Sequence, residues 1–151
     1  MASKIFLDAN LLLDLVLKQP GFATAQGIIQ AGIDGEIELY TSPSVLHITA
    51  YFAGKSFSQK HTKQLLLTLL NDVTVIDCDH ATVLIALANR DIDDTEDALH
   101  YFTAISSGLD CFISADKDLK KAALPQLPVY TAPEPLAELK GRNGEIGRAH
   151  V

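Results

Sequence analysis

The stretch Ile5-Phe6-Leu7-Asp8-Ala9-Asn10-Leu11-Leu12-Leu13-Asp14-Leu15 holds a short apolar run, one aspartate, and then a longer leucine-rich run. Ile, Phe and Leu in a brief bounded run suit a buried pleated surface, so residues 5–7 read as a strand. An Asp directly before an apolar run marks a helix start, where its carboxylate satisfies free backbone N–H groups. A strand feeding straight into a helix is the step from which parallel sheets are built.

The same step recurs along the chain. Residues 37–40, 73–76, 111–113 and 129–130 read as further strands, because β-branched and aromatic residues cluster there in short runs. Between them, Ala23, Ile28, Ile29 and Ile33 share one helical face, and Leu65, Leu66, Leu69 and Leu70 form another stripe. Residues 82–89 make a third helix, and Ala98, Leu99, Phe102 and Ile105 mark a fourth. Gly35 and Gly108 stand where helices stop, and Pro43 suits a first helical turn after Thr41-Ser42. This alternation implies an α/β sandwich around a mainly parallel sheet of about five strands, with helices on both faces.

At 151 residues, 48% hydrophobic and 21% charged, the chain fits one folded domain and not a disordered one. Two cysteines, Cys78 and Cys111, make neither a disulfide framework nor a zinc motif, which points to a reducing, cytoplasmic setting. Residues 1–4 lack the apolar core of a secretory signal, and no run is long enough to cross a membrane. A net charge of −7 argues against holding nucleic acid by surface charge alone. The acidic excess fits either a metal site whose ions offset it or an ordinary acidic surface.

Three acids separated in sequence bear on that choice. Asp8 and Asp116 each follow a strand, at the carboxyl ends where ligands bind in parallel sheets. Asp97 lies in the first turn of the helix preceding the fourth strand, with Asp94 already placed as its N-cap. Each alone reads as a helix cap or a ligand. Together, carboxylates that converge repel one another, and a hard divalent cation relieves that repulsion.

The segments Ile5 to Leu15, Glu96-Asp97-Ala98-Leu99-His100-Tyr101, and Asp110-Cys111-Phe112-Ile113-Ser114-Ala115-Asp116-Lys117-Asp118-Leu119 resemble, in order, three motifs of PIN domains. The resemblance covers residues 4 to about 138 and is greatest to the VapC-like toxins of bacterial toxin–antitoxin pairs. It implies a PIN-like α/β/α sandwich and a ribonuclease that uses Mg2+ or Mn2+. Asp8, Asp97 and Asp116 would be the catalytic, metal-binding acids, with Glu96 a further candidate ligand. Asn10, Ser114 and Asp118 would orient carboxylates or water, and Lys117, Lys120 and Lys121 would contact RNA phosphates. It also implies a cognate antitoxin and a homodimer. One departure stands out: PIN domains usually carry another acid on the helix after the second strand. Here residues 42–51 hold none, and His47 or Thr49 falls near the position.

The other polar residues read more plainly. His47, on an apolar helix, is expected in the core with a hydrogen bond, and His61 and His100 on the surface. Asp14 is expected to face solvent or a basic neighbour, Lys55, Lys60 and Lys63 to form a solvated face, and Tyr101 and Phe102 to pack in the core or a dimer contact. Residues 141–151 break all periodicity, and Glu145 to Val151 matches the translation of a common sequencing-library adapter. A disordered, non-native tail is therefore expected beyond a domain of residues 1–140. Finding the same codons at the native locus would overturn that expectation. Two other functions compete with the nuclease: a catalytically weak PIN module that binds RNA or an antitoxin, and an acidic-pocket phosphotransfer protein or phosphatase. The last leaves Glu96-Asp97-Ala98-Leu99 unexplained.

Overall fold

A computed structural model describes residues 2–131. The end of the domain near residue 140 and the adapter-like tail lie outside the described residues. Five strands form one all-parallel sheet: β1 (Ser3–Leu7), β2 (Ile37–Thr41), β3 (Val73–Val75), β4 (Cys111–Ile113) and β5 (Val129–Tyr130). Their spatial order is β3-β2-β1-β4-β5. The chain winds outward from β1 to β3, then crosses to the other side of β1 to add β4 and β5. The switch in direction falls between β1 and β4, whose parallel register pairs Ile5 with Cys111 and Leu7 with Ile113. Such switch points open a crevice at the carboxyl ends of the strands.

Residues 5–7 of β1 and Cys111–Ile113 of β4 are apolar without interruption because helices cover both faces there. Ile5, Phe6 and Leu7 are completely buried, and the Phe6 and Phe112 rings stack 4.8 Å apart at 16°. Each such side chain contributes roughly 1.5–3 kcal/mol by leaving water. β1 starts two residues earlier than the sequence pattern suggests. β3 stops at Val75, although Ile76 N–H still donates to Thr41 C=O at 2.9 Å.

Among the described residues seven helices flank the sheet: α1 (Ala9–Val16), α2 (Phe22–Ile33), α3 (Pro43–Ala53), α4 (Gln59–Leu69), α5 (His80–Ala88), α6 (Thr95–Ser106) and α7 (Lys117–Ala122). Helix α1 packs on α2 and α3, and α5 packs on α6. Gly35 and Gly108 take left-handed conformations, φ 76° and 70°, where α2 and α6 end. In both, the glycine and its successor donate back to the last turn, Glu36 N–H to Ala31 C=O and Leu109 N–H to Ala104 C=O. No described helix is long and apolar enough to cross a membrane.

Helix α6 is buried almost all round between Ala98 and Ala104. Tyr101 is fully buried there. Its hydroxyl donates to Leu127 C=O and accepts from Leu124 N–H, both at 2.7 Å, which fastens the segment leading into β5. Tyr101 and Phe102 both belong to the core of this chain.

Candidate active site

Asp8 sits where β1 gives way to α1, beside the end of β4. Its N–H donates to Ile113 C=O at 3.2 Å, extending the β1–β4 ladder by one bond. The residue is extended, caps α1, and is 6% exposed. Its Oδ1 accepts from Ala9 N–H at 2.7 Å, and its Oδ2 accepts from the Ser114 hydroxyl at 3.1 Å. The same Ser114 oxygen accepts from Asp116 N–H at 3.1 Å. One buried hydroxyl therefore sets both Asp8 and the backbone entry to Asp116.

A third group approaches Asp8 from α6. His100 is 2% exposed, with Nδ1 3.6 Å from Asp8 Oδ1 and Nε2 2.9 Å from Ser44 Oγ on α3. Nδ1 is buried and has no hydrogen-bond partner within 3.5 Å. A bare ring nitrogen facing a carboxylate oxygen would be repulsive. The favoured arrangement therefore puts the proton on Nδ1, towards Asp8. In the neutral ring, Ser44 then donates to Nε2.

Asp97 occupies a different setting. Asp94 caps α6 and accepts from Asp97 N–H at 2.9 Å, so the Asp97 carboxyl is left over from capping. Its pKa is pushed up to about 8, first by burial, then by a hydrogen bond to Asp116 and by the charges of Asp8, Asp94 and Asp116. Asp116 moves the opposite way, below the ordinary carboxylate range, because it receives that hydrogen bond. The two shifts favour the neutral form of Asp97 beside an ionised Asp116. Asp116 also caps α7, accepting from Asp118 N–H at 2.8 Å and Leu119 N–H at 3.3 Å. A small cleft of about 110 Å³ opens here, lined by Asp91, Asp93, Asp94, Asp97, Asp116 and Asp118 with Ile92 and Leu119.

The structure thus brings Asp8, Asp97 and Asp116 within electrostatic reach of one another, with Ser114 between two of them. Asp118 lines the cleft. Glu96 is exposed on the first turn of α6 and is not part of that lining. Asn10 is exposed and borders a neighbouring cavity. Lys117, Lys120 and Lys121 are exposed on α7, the last two in its final turn. Among the described residues no three Asp, Glu, His or Cys side chains form a ready cage for a cation.

Two expectations are corrected. His100 is a buried neighbour of Asp8 and not a surface residue, because α6 runs through the core. The uncharged stretch from Ala98 to Leu109 was the signal in the sequence that it does so. His47 is exposed and not in the core, because the buried face of α3 follows Val45, Thr49 and Ala53 at four-residue steps. Thr49, near the position of the missing acid, is buried with its hydroxyl donating to Val45 C=O at 2.8 Å. What α3 offers the site is Ser44.

The molecule is an α/β/α domain whose acidic cleft opens at the switch point of a parallel sheet. The chain belongs to the PIN domain family, whose model matches residues 5–124. Its fold is that of VapC-type members. A toxin–antitoxin complex from Rickettsia felis, VapBC2 bound to a DNA fragment from its promoter, is similar with a TM-score of 0.64 at 15% identity. That match covers 85% of this chain and 98% of the other. VapC20 of Mycobacterium tuberculosis, a toxin that cleaves the sarcin–ricin loop, gives 0.63 at 18% identity over 82% and 98%. PAE2754 from Pyrobaculum aerophilum gives 0.59 at 16% identity over 96% and 99%. No sequence among the curated proteins matches the chain.

Proposed function

We propose that this chain is an endoribonuclease dependent on Mg2+ or Mn2+, the toxin of a toxin–antitoxin pair. The observation that carries the reading is the Asp97–Asp116 pair beside Asp8. Three carboxylates from distant parts of the chain meet at one sheet edge, and two of them share a proton to relieve their repulsion. An oxygen-only acidic set of this kind fits a hard divalent cation, which would take over the charge balance that the proton now supplies. Asp8, Asp97 and Asp116 are the residues that would hold it. A bound cation of this type makes a coordinated water nucleophilic at neutral pH and stabilises charge growing on a phosphate.

The protein's own part is positional. The Ser114 hydroxyl and Ala9 N–H fix the Asp8 carboxylate, with the buried His100 ring 3.6 Å away, so that one ligand is held ready without reorganisation. Asp118, in the cleft lining, and Asn10, at the neighbouring cavity, would orient water. Lys117, Lys120 and Lys121 follow Asp116 and would meet the RNA backbone. Glu96, exposed one residue before Asp97, would be a further ligand. Leu84, Ile85 and Leu87 on α5 are 57–58% exposed, and Tyr51, Phe52 and Leu67 on α3 and α4 are 44–71% exposed. These uncovered apolar faces are where a second copy and an antitoxin would dock.

The test is incubation of the purified chain with single-stranded and structured RNA in Mn2+, Mg2+ or chelator. Metal-dependent cleavage that disappears in Asp8→Asn and Asp97→Asn supports the enzyme. A second reading, a catalytically weak module that binds RNA or an antitoxin, is favoured by one observation: α3 brings Ser44 and not a carboxylate to the site. Absence of cleavage under every metal, with binding retained, would select it.

A further inference from the structure

Beside the carboxylates lies a second cavity that their chemistry does not use. It sits between α1, α2 and the end of β4, with a volume of about 220 Å³. Leu11, Ala25 and Ile113 make its apolar walls, and Asn10, Asp14 and Ser114 its polar ones. Ser114 is shared: its hydroxyl bonds Asp8 on the other side. The cavity therefore begins one side chain away from the place where a phosphate would be cut. It lies below the ~300 Å³ lower limit of pockets for whole small molecules, which suits a single planar group entering from a larger ligand.

Two features show that the polar wall is available for binding. Neither Asp14 nor Asn10 has a side-chain hydrogen bond or ion pair among the described residues. The Asp14 carboxylate also rests against Gly21, where an added Cβ would overlap its oxygen. Gly21 has φ −81°, which any residue adopts, so the glycine there answers a need for space and not for backbone freedom. Asp14 is held at the cavity by contact of Oδ2 with bare backbone, and its carboxylate lines the cavity without a partner among the described residues.

We propose that this cavity seats a nucleobase of the RNA next to the cleaved phosphate, and that Asp14 selects guanine. The inference rests on the ribonuclease reading for its ligand and adds a base preference. Apolar walls receive the two faces of a flat ring, and its edge meets the polar groups. A carboxylate accepts and cannot donate. Guanine presents two adjacent donors, N1–H and the N2 amino group, and a carboxylate can accept both at once. Adenine and cytosine present one amino group each beside a ring acceptor, and uracil presents one N–H between two carbonyls. Asn10, at the rim, has an amide N–H to offer guanine O6.

The test uses the full chain with Mn2+ and fluorescently labelled ten-nucleotide oligouridines, one carrying a single central guanine and others a single adenine or cytosine. Affinity is read by anisotropy and any cut is mapped on the products. The guanine oligomer should bind about tenfold tighter than the others, in line with one good edge contact. Any cut should fall at a fixed position beside the guanine. That ratio should fall to about one in Asp14→Asn, and likewise in Gly21→Ala, which displaces the carboxylate without removing it. Circular dichroism checks that each variant is folded, and the glycine variant carries the test if the other is not. Equal affinities in the unmodified chain, or a guanine preference that persists in the folded variants, would overturn the proposal. A guanine preference without cleavage would sustain it while removing the nuclease. Cleavage without preference would do the reverse.

Discussion

Asp8 and Asp97 stand at the same edge of the sheet, yet the protein treats them in opposite ways. Around Asp8 it has arranged two donors, Ala9 N–H and the Ser114 hydroxyl, with the His100 ring 3.6 Å away. Around Asp97 it has arranged more acids, Asp94, Asp116 and Asp8, in partial burial. The first carboxylate is settled by the fold. The second is pushed towards its neutral form by burial and by the acids around it. A site built this way has one rigid half and one half waiting for charge, which is the division of labour a cation-binding site needs.

The largest expected effects separate the two halves by sign. Asp8→Asn and Asp97→Asn should each lower RNA cleavage by about 10²–10³-fold, the usual cost of losing a group that stabilises transition-state charge. Their effects on stability should differ. Asp8→Asn keeps a capping oxygen for Ala9 N–H but puts an amide NH2 where the Ser114 hydroxyl now finds an acceptor, and should cost about 1–3 kcal/mol by denaturant unfolding. Asp97→Asn removes an acid whose ionised form is disfavoured and should stabilise the fold at pH 8. Equal destabilisation by both would break the comparison.

Next in size is Ser114→Ala, which removes the hydroxyl that spans Asp8 and Asp116. Mn2+ affinity by calorimetry should fall about 10–100-fold, as for other groups that orient ligands. An unchanged affinity would mean that the two halves are independent.

The fold was legible in the sequence because its strands carry their own signature. Ile5-Phe6-Leu7 and Cys111-Phe112-Ile113 are apolar without alternation, as strands covered on both faces must be. Asp8 and Asp116 could be placed from their strands alone. Asp97 could not, since α6 comes before β4 and reaches the site only once the chain has crossed the sheet. His100 was hidden for a related reason. A histidine looks polar in sequence, and only the burial of α6 on nearly all sides turns it towards Asp8. The reverse held for His47, whose apolar neighbours point one way while it points the other.

The pH dependence sharpens the contrast further. Below pH ~3.8 Asp97 is protonated in both the folded and unfolded states and contributes no slope. As pH rises from there to about 8, the unfolded chain gives up this proton and the folded chain keeps it, so the group's contribution to stability declines across that window. Asp116, shifted the other way, contributes stability that is present above ~3.8 and lost as pH falls below it. The melting-temperature difference between the unmodified chain and Asp97→Asn should therefore widen from pH 5 to pH 8.5 by about 2–4 °C, with the variant higher. Smallest of all, Lys117→Ala, Lys120→Ala and Lys121→Ala together should flatten the salt dependence of RNA binding by about two units of slope, at roughly 0.7 per phosphate contact.

The most direct test of the central claim is a calorimetric titration of the chain with Mn2+ at pH 7, run in buffers of different ionisation heat so that released protons are counted. If the proton shared by Asp97 and Asp116 stands where the cation goes, binding will release about one proton, and Asp97→Asn will release none. Mn2+ binding without proton release, or release undiminished in Asp97→Asn, would contradict it.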